Sequence, residues 1–161
     1  MRISKWIEPS DSELRSCEDP DFFPSLHLSG HTFSPKRFTE RTGIVCTEAN
    51  EPNEIGVAGT YRGEQSPYGA AIIRPPKQIN SRQSLFWIAE IVGSLTHKFR
   101  KEHGIIWETI YLTVRYKNQC CIILPGVILR TLGFPAIPLV VSCVRDSELQ
   151  TDVSEDVSRL N

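Results

Sequence analysis

The sequence lacks every short motif that would identify a reaction. It has no G-x-G-x-x-G or G-x-x-x-x-G-K-[ST] loop for a nucleotide, no H-E-x-x-H zinc helix and no G-x-S-x-G nucleophile turn. The segment rich in glutamate also lacks the Asp-Gly ligand pattern of a calcium loop. We therefore predict no catalytic residues, no metal and no cofactor.

Long apolar runs and paired cysteines are missing as well. The longest nearly apolar run, 134–144, contains two prolines and is too short to cross a bilayer. The opening residues have no apolar segment of a secretory signal, and five cysteines at irregular spacing argue against a disulfide framework. These absences predict a cytoplasmic protein without a membrane partner.

Charge is distributed unevenly along the chain, although the net charge is only −1. Segment 71–145 carries +7, whereas 1–24, 44–70 and 146–161 carry −3, −3 and −4. We predict an acidic N-terminal arm (1–24), a single α/β domain (25–145) and an acidic C-terminal tail (146–161). The acidic segments are either solvated surface or a surface that meets a basic partner. The basic residues lack interleaved aromatics, so we expect no nucleic-acid partner.

Segment 80–104 has the clearest helical pattern. Its apolar residues recur at spacings of three and four and predict one buried stripe: Leu85, Ile88, Val92, Leu95 and Phe99. Asn80 and Gln83 form a capping-box pattern at the start. Basic residues fill the last turn before Gly104, a typical helix stop. We predict one long helix from 80 to 104 at the centre of the domain.

Short helices and loops are marked by proline and glycine. Ser34 and Pro35 are typical of a helix start, Phe33 and Phe38 occupy the positions of a hydrophobic staple, and Gly43 marks the end. A second Pro-started helix is predicted at 125–132. Segment 45–67 should be mostly loop, with one short strand near 55–61.

Alternating apolar residues predict the strands. The predicted segments are 25–29, 68–74, 109–117, 120–124 and 138–144, of which the last two are predicted to be buried. We predict an α+β fold: a two-layer domain with a mainly antiparallel sheet and the long helix and short Pro-started helices on one face.

Two groups of side chains have chemistry of their own. His27, Ser29 and His31 would share the exposed face of a strand, where they could bind a metal or move protons; a surface pair of histidines is the alternative. Three cysteines are predicted to be small core residues: Cys120, Cys121 and Cys143. A catalytic cysteine working with His27 or His103 is left open.

Three stretches resemble a bacterial domain family of unknown function. They are SLHLSGHTFSPKRFTERTGIVCT (25–47), the central helix, and CCIILPGVILRTLGFPAIPLVVSCV (120–144), together spanning about 120 residues. Members of that family recur among immunity proteins of polymorphic and contact-delivered toxin systems. The segment 48–63 is acidic here, whereas the family has a tryptophan-basic-glycine stretch. The shared motifs are structural, so the resemblance assigns no functional residue.

We therefore expect a cytoplasmic, non-enzymatic binding protein. The resemblance implies an immunity protein that binds and neutralises a cognate toxin. The acidic segment predicts the partner-binding residues, because carboxylates and aromatics are common at interfaces: Glu48, Glu51, Glu54, Tyr61, Glu64 and Tyr68. The alternatives are a small-molecule-sensing regulatory domain and a hydrolase that uses His27, His31 or a cysteine.

Overall fold

Among the described residues, a five-stranded mixed sheet is accompanied by three helices, which confirms the α+β prediction. The computed structural model describes residues 21–56, 61–117, 122, 124, 126, 129–130 and 137–145. The elements in chain order are β1 (Asp21–Gly30), α1 (Pro35–Thr42), β2 (Glu48–Asn50), β3 (Gly69–Ile73), α2 (Ser81–Ser94), α3 (His97–His103), β4 (Trp107–Tyr116) and β5 (Leu139–Arg145).

The sheet has the strand order β2-β3-β1-β4-β5. The first three pairings are antiparallel, and β5 pairs in parallel with β4, with Ile110 opposite Leu139. A parallel neighbour requires a long crossover, and the chain between β4 and β5 is long enough to provide it. Most of that connection lies outside the described residues.

The core lies between the sheet and α1 and α2. Alternate residues of β1, β3 and β4 point into it and are buried, including Leu26, Leu28, Ile73, Ile110, Leu112 and Val114. The predicted stripe is confirmed at Leu85, Ile88, Val92 and Leu95, which are buried, while Phe99 is partly buried against the core. The other residues of β1 and β4 are half-buried or exposed, so the opposite face of the described sheet is open.

The predicted long helix is wrong in one respect, because it is two helices. Leu95 leaves the helical conformation (φ −77, ψ 85), and Thr96 starts α3 by accepting a hydrogen bond from Phe99 N at 3.2 Å. Ser94 and Thr96 are residues whose side chains compete for backbone hydrogen bonds, which favours an interruption. Arg100 then donates to the carbonyl oxygens of Val92 and Leu95 at the end of α2.

The helix-start and helix-stop signals are confirmed. Asn80 and Gln83 form both hydrogen bonds of a capping box. Ser34 caps α1, and the Phe33 and Phe38 rings pack edge to face with centroids 5.9 Å apart. Gly104 ends α3 in the left-handed conformation (φ 68), as Gly43 (φ 73) ends α1. Unlike α1, α3 contains no fully buried residue.

The first strand begins at Asp21 instead of Ser25. Phe22 is buried opposite Val114 of β4, so part of the predicted arm belongs to the sheet; residues 1–20 and 146–161 lie outside the described residues. Pro24 lies within this strand. It is tolerated because β3 pairs with β1 only from Leu26 to Gly30, which leaves the proline on an open edge.

Two other strand predictions need correction. The short strand in the acidic segment is β2 at Glu48–Asn50, while Ile55 and Gly56 form only isolated bridges and residues 57–60 lie outside the described range. β5 exists but is not buried, because it lies beyond the helices at the end of the strand order: Val140, Val141 and Cys143 are exposed.

Segment 120–132 is described only in part. Cys120 and Cys121 are outside the described residues, and Ile122 and Leu124 are half-buried without strand structure. In the predicted second Pro-started helix, Gly126, Leu129 and Arg130 are helical.

Candidate functional site

The acidic loop, residues 48–68, is held in place by backbone hydrogen bonds. Asn53 N donates to Ser66 O at 2.8 Å, Ser66 N donates to Glu54 O at 2.9 Å, and Gly56 N donates to Glu64 O at 2.9 Å. These bonds close the described part of the segment into a hairpin-like unit next to the edge strand β2. Backbone hydrogen bonds within the segment therefore hold the conformation of its described part.

Three of the four predicted glutamates are held by specific partners. Glu48 forms a 2.5 Å ion pair with Arg74. Glu51 accepts a 2.8 Å hydrogen bond from Lys36 N in the first turn of α1, where a carboxylate meets free N–H groups and the positive end of the helix. Glu54 accepts a 2.9 Å bond from Glu51 N. Glu51 is half-buried, whereas Glu54 is exposed.

The remaining predicted residues are Tyr61, Glu64 and Tyr68, and Tyr68 lies directly before β3. Tyr61 and Tyr68 pack edge to face with centroids 5.6 Å apart, and both are half-buried. Glu64 is exposed, and so is Ile55, with 66% of its surface accessible. Sequence reasoning missed Ile55, although an isoleucine among glutamates was a visible signal. The structure thus brings Glu54, Ile55 and Glu64 into one paired segment.

The open face of the sheet carries rings in contact pairs. His27 lies 4.4 Å from Tyr111 between ring centroids, and His31 lies 5.3 Å from Trp107. Phe23 lies 4.6 Å below the Arg115 guanidinium. Each pair joins neighbouring strands or the turn after β1, so the rings stabilise the sheet as well as covering part of its open face.

His27 and Ser29 lie on the same open face of β1, as predicted, and His27 is hydrogen-bonded to another serine of that face. A hydrogen bond of 3.1 Å joins His27 Nε2 to Ser25 Oγ, whereas Ser29 lies opposite Trp107 in the β1–β4 register. Burial and the nearby Arg74 lower the pKa of His27, partly opposed by Glu48, which favours the neutral imidazole. Among the described residues, no group of three or more histidines, cysteines or acids could hold a metal ion.

Burial works against activation of the Cys46 thiol. Cys46 is half-buried, with Sγ 3.6 Å from Thr39 Oγ1, and burial raises the pKa of its thiol. Cys143 is exposed on β5, which corrects its prediction as a core residue. A thiol whose pKa is raised is a poor nucleophile at neutral pH.

A cleft on the helix side of the sheet was not predicted from the sequence. It has a volume of about 540 Å³ and lies between α3 and the start of β4, with Ile137 and Pro138 at its far side. Arg100 and Glu108 line it and form an ion pair with each other. The two residues are eight apart on different elements, so no periodic pattern joins them.

Comparisons with protein-family models, curated proteins and solved structures found no match. No helix among the described residues is long and apolar enough to cross a membrane.

Proposed function

We propose that this protein is a cytoplasmic, non-enzymatic binding protein, and specifically an immunity protein that binds and neutralises a cognate toxin domain. The observation that carries the proposal is the acidic loop, a hydrogen-bonded unit that presents Ile55 and Glu64 to solvent. The toxin as partner rests on the resemblance of segments 25–47 and 120–144 described above.

The acidic loop is suited to a protein partner for two physical reasons. An exposed isoleucine has apolar surface to bury, and the surrounding carboxylates favour a basic partner and steer its approach. Because backbone hydrogen bonds already hold the described part of the loop, binding costs less conformational entropy than ordering a free segment would. A toxin whose active site binds nucleic acid would have a basic active site. An acidic loop bound over such a site would block access of the substrate.

A small-molecule-sensing domain is the second candidate, favoured by the cleft next to Arg100 and Glu108. A hydrolase is third. Its support is limited to the Ser25–His27 hydrogen bond, which satisfies the distance for a nucleophile and base.

An immunity protein should be encoded next to its toxin, so the test is binding to the product of the adjacent gene, measured by co-purification and titration. The double variant Ile55→Ser/Glu64→Lys should weaken binding at least about tenfold at low salt, and the loss should shrink at high salt. A matched control is Phe86→Ser/Glu90→Lys, which changes an exposed aromatic and an exposed glutamate one turn apart on α2.

The control variant should bind as the parent does. Equal affinity of the parent and the acidic-loop variant would place the interface elsewhere, and absence of binding by the parent would refute the toxin as partner. Protection of cells that express the toxin provides the functional readout.

A further inference from the structure

The cleft beside α3 is lined by both charged and apolar side chains. Ile105 and Ile106 line it from the segment that follows α3, Ile137 lines it from the chain before β5, and His97 and Lys101 line it from α3. Glu108 is the acidic residue among the lining residues that the structure describes. A volume of about 540 Å³ is in the range of small-molecule sites.

Glu108 has unused hydrogen-bonding capacity in this cleft. Its side chain is only 9% exposed, and Oε1 accepts a hydrogen bond from Arg100 Nε. The other oxygen, Oε2, is buried, and no described group donates to it. Leaving a buried carboxylate oxygen without a donor is costly, so such an atom calls for a partner.

Arg100 does not satisfy that second oxygen. Its Nη1 donates to Leu95 O and its Nη2 donates to Val92 O at 3.3 Å, so the guanidinium is divided between Glu108 and the end of α2. The last torsion of a glutamate has a broad energy minimum. Rotation about this torsion is the movement by which Oε2 would reach the cleft that Glu108 already lines.

We propose that this cleft binds a small aliphatic zwitterion of the amino-acid class. A primary ammonium group donates to Glu108 Oε2, because a charged donor is the strongest partner for a carboxylate. The ligand carboxylate pairs with Lys101, and its aliphatic chain packs on Ile105 and Ile106. The inference goes beyond toxin binding, because the cleft and the acidic loop share no residue.

The test is a titration of the intact protein with three probes, followed by calorimetry and by amide chemical shifts. L-Leucine carries both charged groups, isopentylamine lacks the carboxylate, and 4-methylpentanoate lacks the ammonium group. L-Leucine should bind with an affinity of about 1 mM or tighter, and each truncated probe should bind at least about tenfold more weakly. The shifts should be confined to α3, β4 and the chain near Ile137.

Two variants assign the contacts. Glu108→Gln keeps an oxygen for Arg100 but places an amide at the Oε2 position, and it should abolish detectable binding of L-leucine. Lys101→Gln should weaken L-leucine about tenfold while leaving the weak binding of isopentylamine unchanged. Lys98→Gln is the matched control, because Lys98 is an exposed lysine of the same helix that does not line the cleft.

Thermal unfolding of each variant separates loss of the site from loss of the fold. If Glu108→Gln does not fold, the comparison of probes on the Lys101→Gln variant still decides the proposal. Equal binding of all three probes, no binding of L-leucine to the parent at about 10 mM, or shifts outside the cleft would overturn it. None of these outcomes bears on the acidic-loop variants, so the two proposals fail separately.

Discussion

Removing the Arg100 side chain should destabilise the domain more than any change to an exposed ion pair. Arg100→Met keeps much of the apolar stem but deletes the partner of Glu108 and the donors to Val92 O and Leu95 O. The two side chains are 18% and 9% exposed, so the carboxylate is left buried without its cation. Breaking such a pair costs about 3–5 kcal/mol, a large part of a typical domain's stability.

Removing the glutamate of the pair should reduce the free energy of unfolding less than removing the arginine does. Glu108→Met leaves Arg100 bonded to the two carbonyl oxygens and more exposed than the glutamate was, so we expect a loss of about 1–3 kcal/mol. The double variant should lose less than the sum of the two single losses, by about 1–3 kcal/mol, because the stranded charge is absent.

Urea unfolding followed by far-ultraviolet circular dichroism measures these differences, with an unchanged slope as the check on two-state behaviour. Arg74→Met is the control, since the Arg74–Glu48 pair is 46% and 58% exposed and should contribute less than about 1 kcal/mol. Additive losses, or an Arg100→Met variant within about 1 kcal/mol of the parent, would show that the buried pair is not a stabilising unit.

Four further substitutions test the core, the Ser25–His27 pair and the contact between the acidic loop and α1. Val92→Asp should prevent folding, because Val92 is 1% exposed and an unpaired buried charge costs several kcal/mol; a cooperative melt of this variant would contradict the assigned face. Ser25→Ala and His27→Ala should leave toxin neutralisation within a few-fold of the parent, and a loss of two orders of magnitude in a folded variant would instead favour a hydrolase. The pKa of His27 is lower in the folded protein than its ordinary value of 6.5, so the unfolded chain binds more protons as the pH drops through 6.5. The free energy of unfolding should therefore fall over this pH range, and it should fall less in His27→Ala. Glu51→Ala should cost about 0.5–1 kcal/mol and speed amide exchange at Lys36, whereas unchanged exchange would deny the contact with α1.

Local signals made much of the fold predictable. The capping box at Asn80, the Ser34-Pro35 start and the two glycine stops are properties of a few adjacent residues, and each forms as expected. Alternation in β4 likewise determines which side chains enter the core. The wrong prediction of one long helix also has a local cause. The helical spacing of apolar residues continues from Val92 through Leu95 to Phe99, even though the helix is interrupted between them.

Long-range contacts could not be read in the same way. Glu51 meets a backbone N–H of α1 fifteen positions earlier, and Glu48 meets Arg74 across two strands. Composition identifies the acidic loop, but it does not show which glutamates contact the rest of the domain and which face solvent. The cleft depends on the meeting of α3, β4 and the chain before β5, which only the folded topology brings together.

The interruption between α2 and α3 has a consequence for how the domain opens. α3 is seven residues long and has no fully buried residue, so its anchors are the Thr96 cap, Arg100 and the partly buried Phe99 ring. α2 is part of the core, and exposing its amides requires most of the domain to unfold. The free energy of opening α3 should therefore be set mainly by the contacts of Arg100 and Phe99 and lie below that of α2, so that its amides exchange with solvent faster than those of α2.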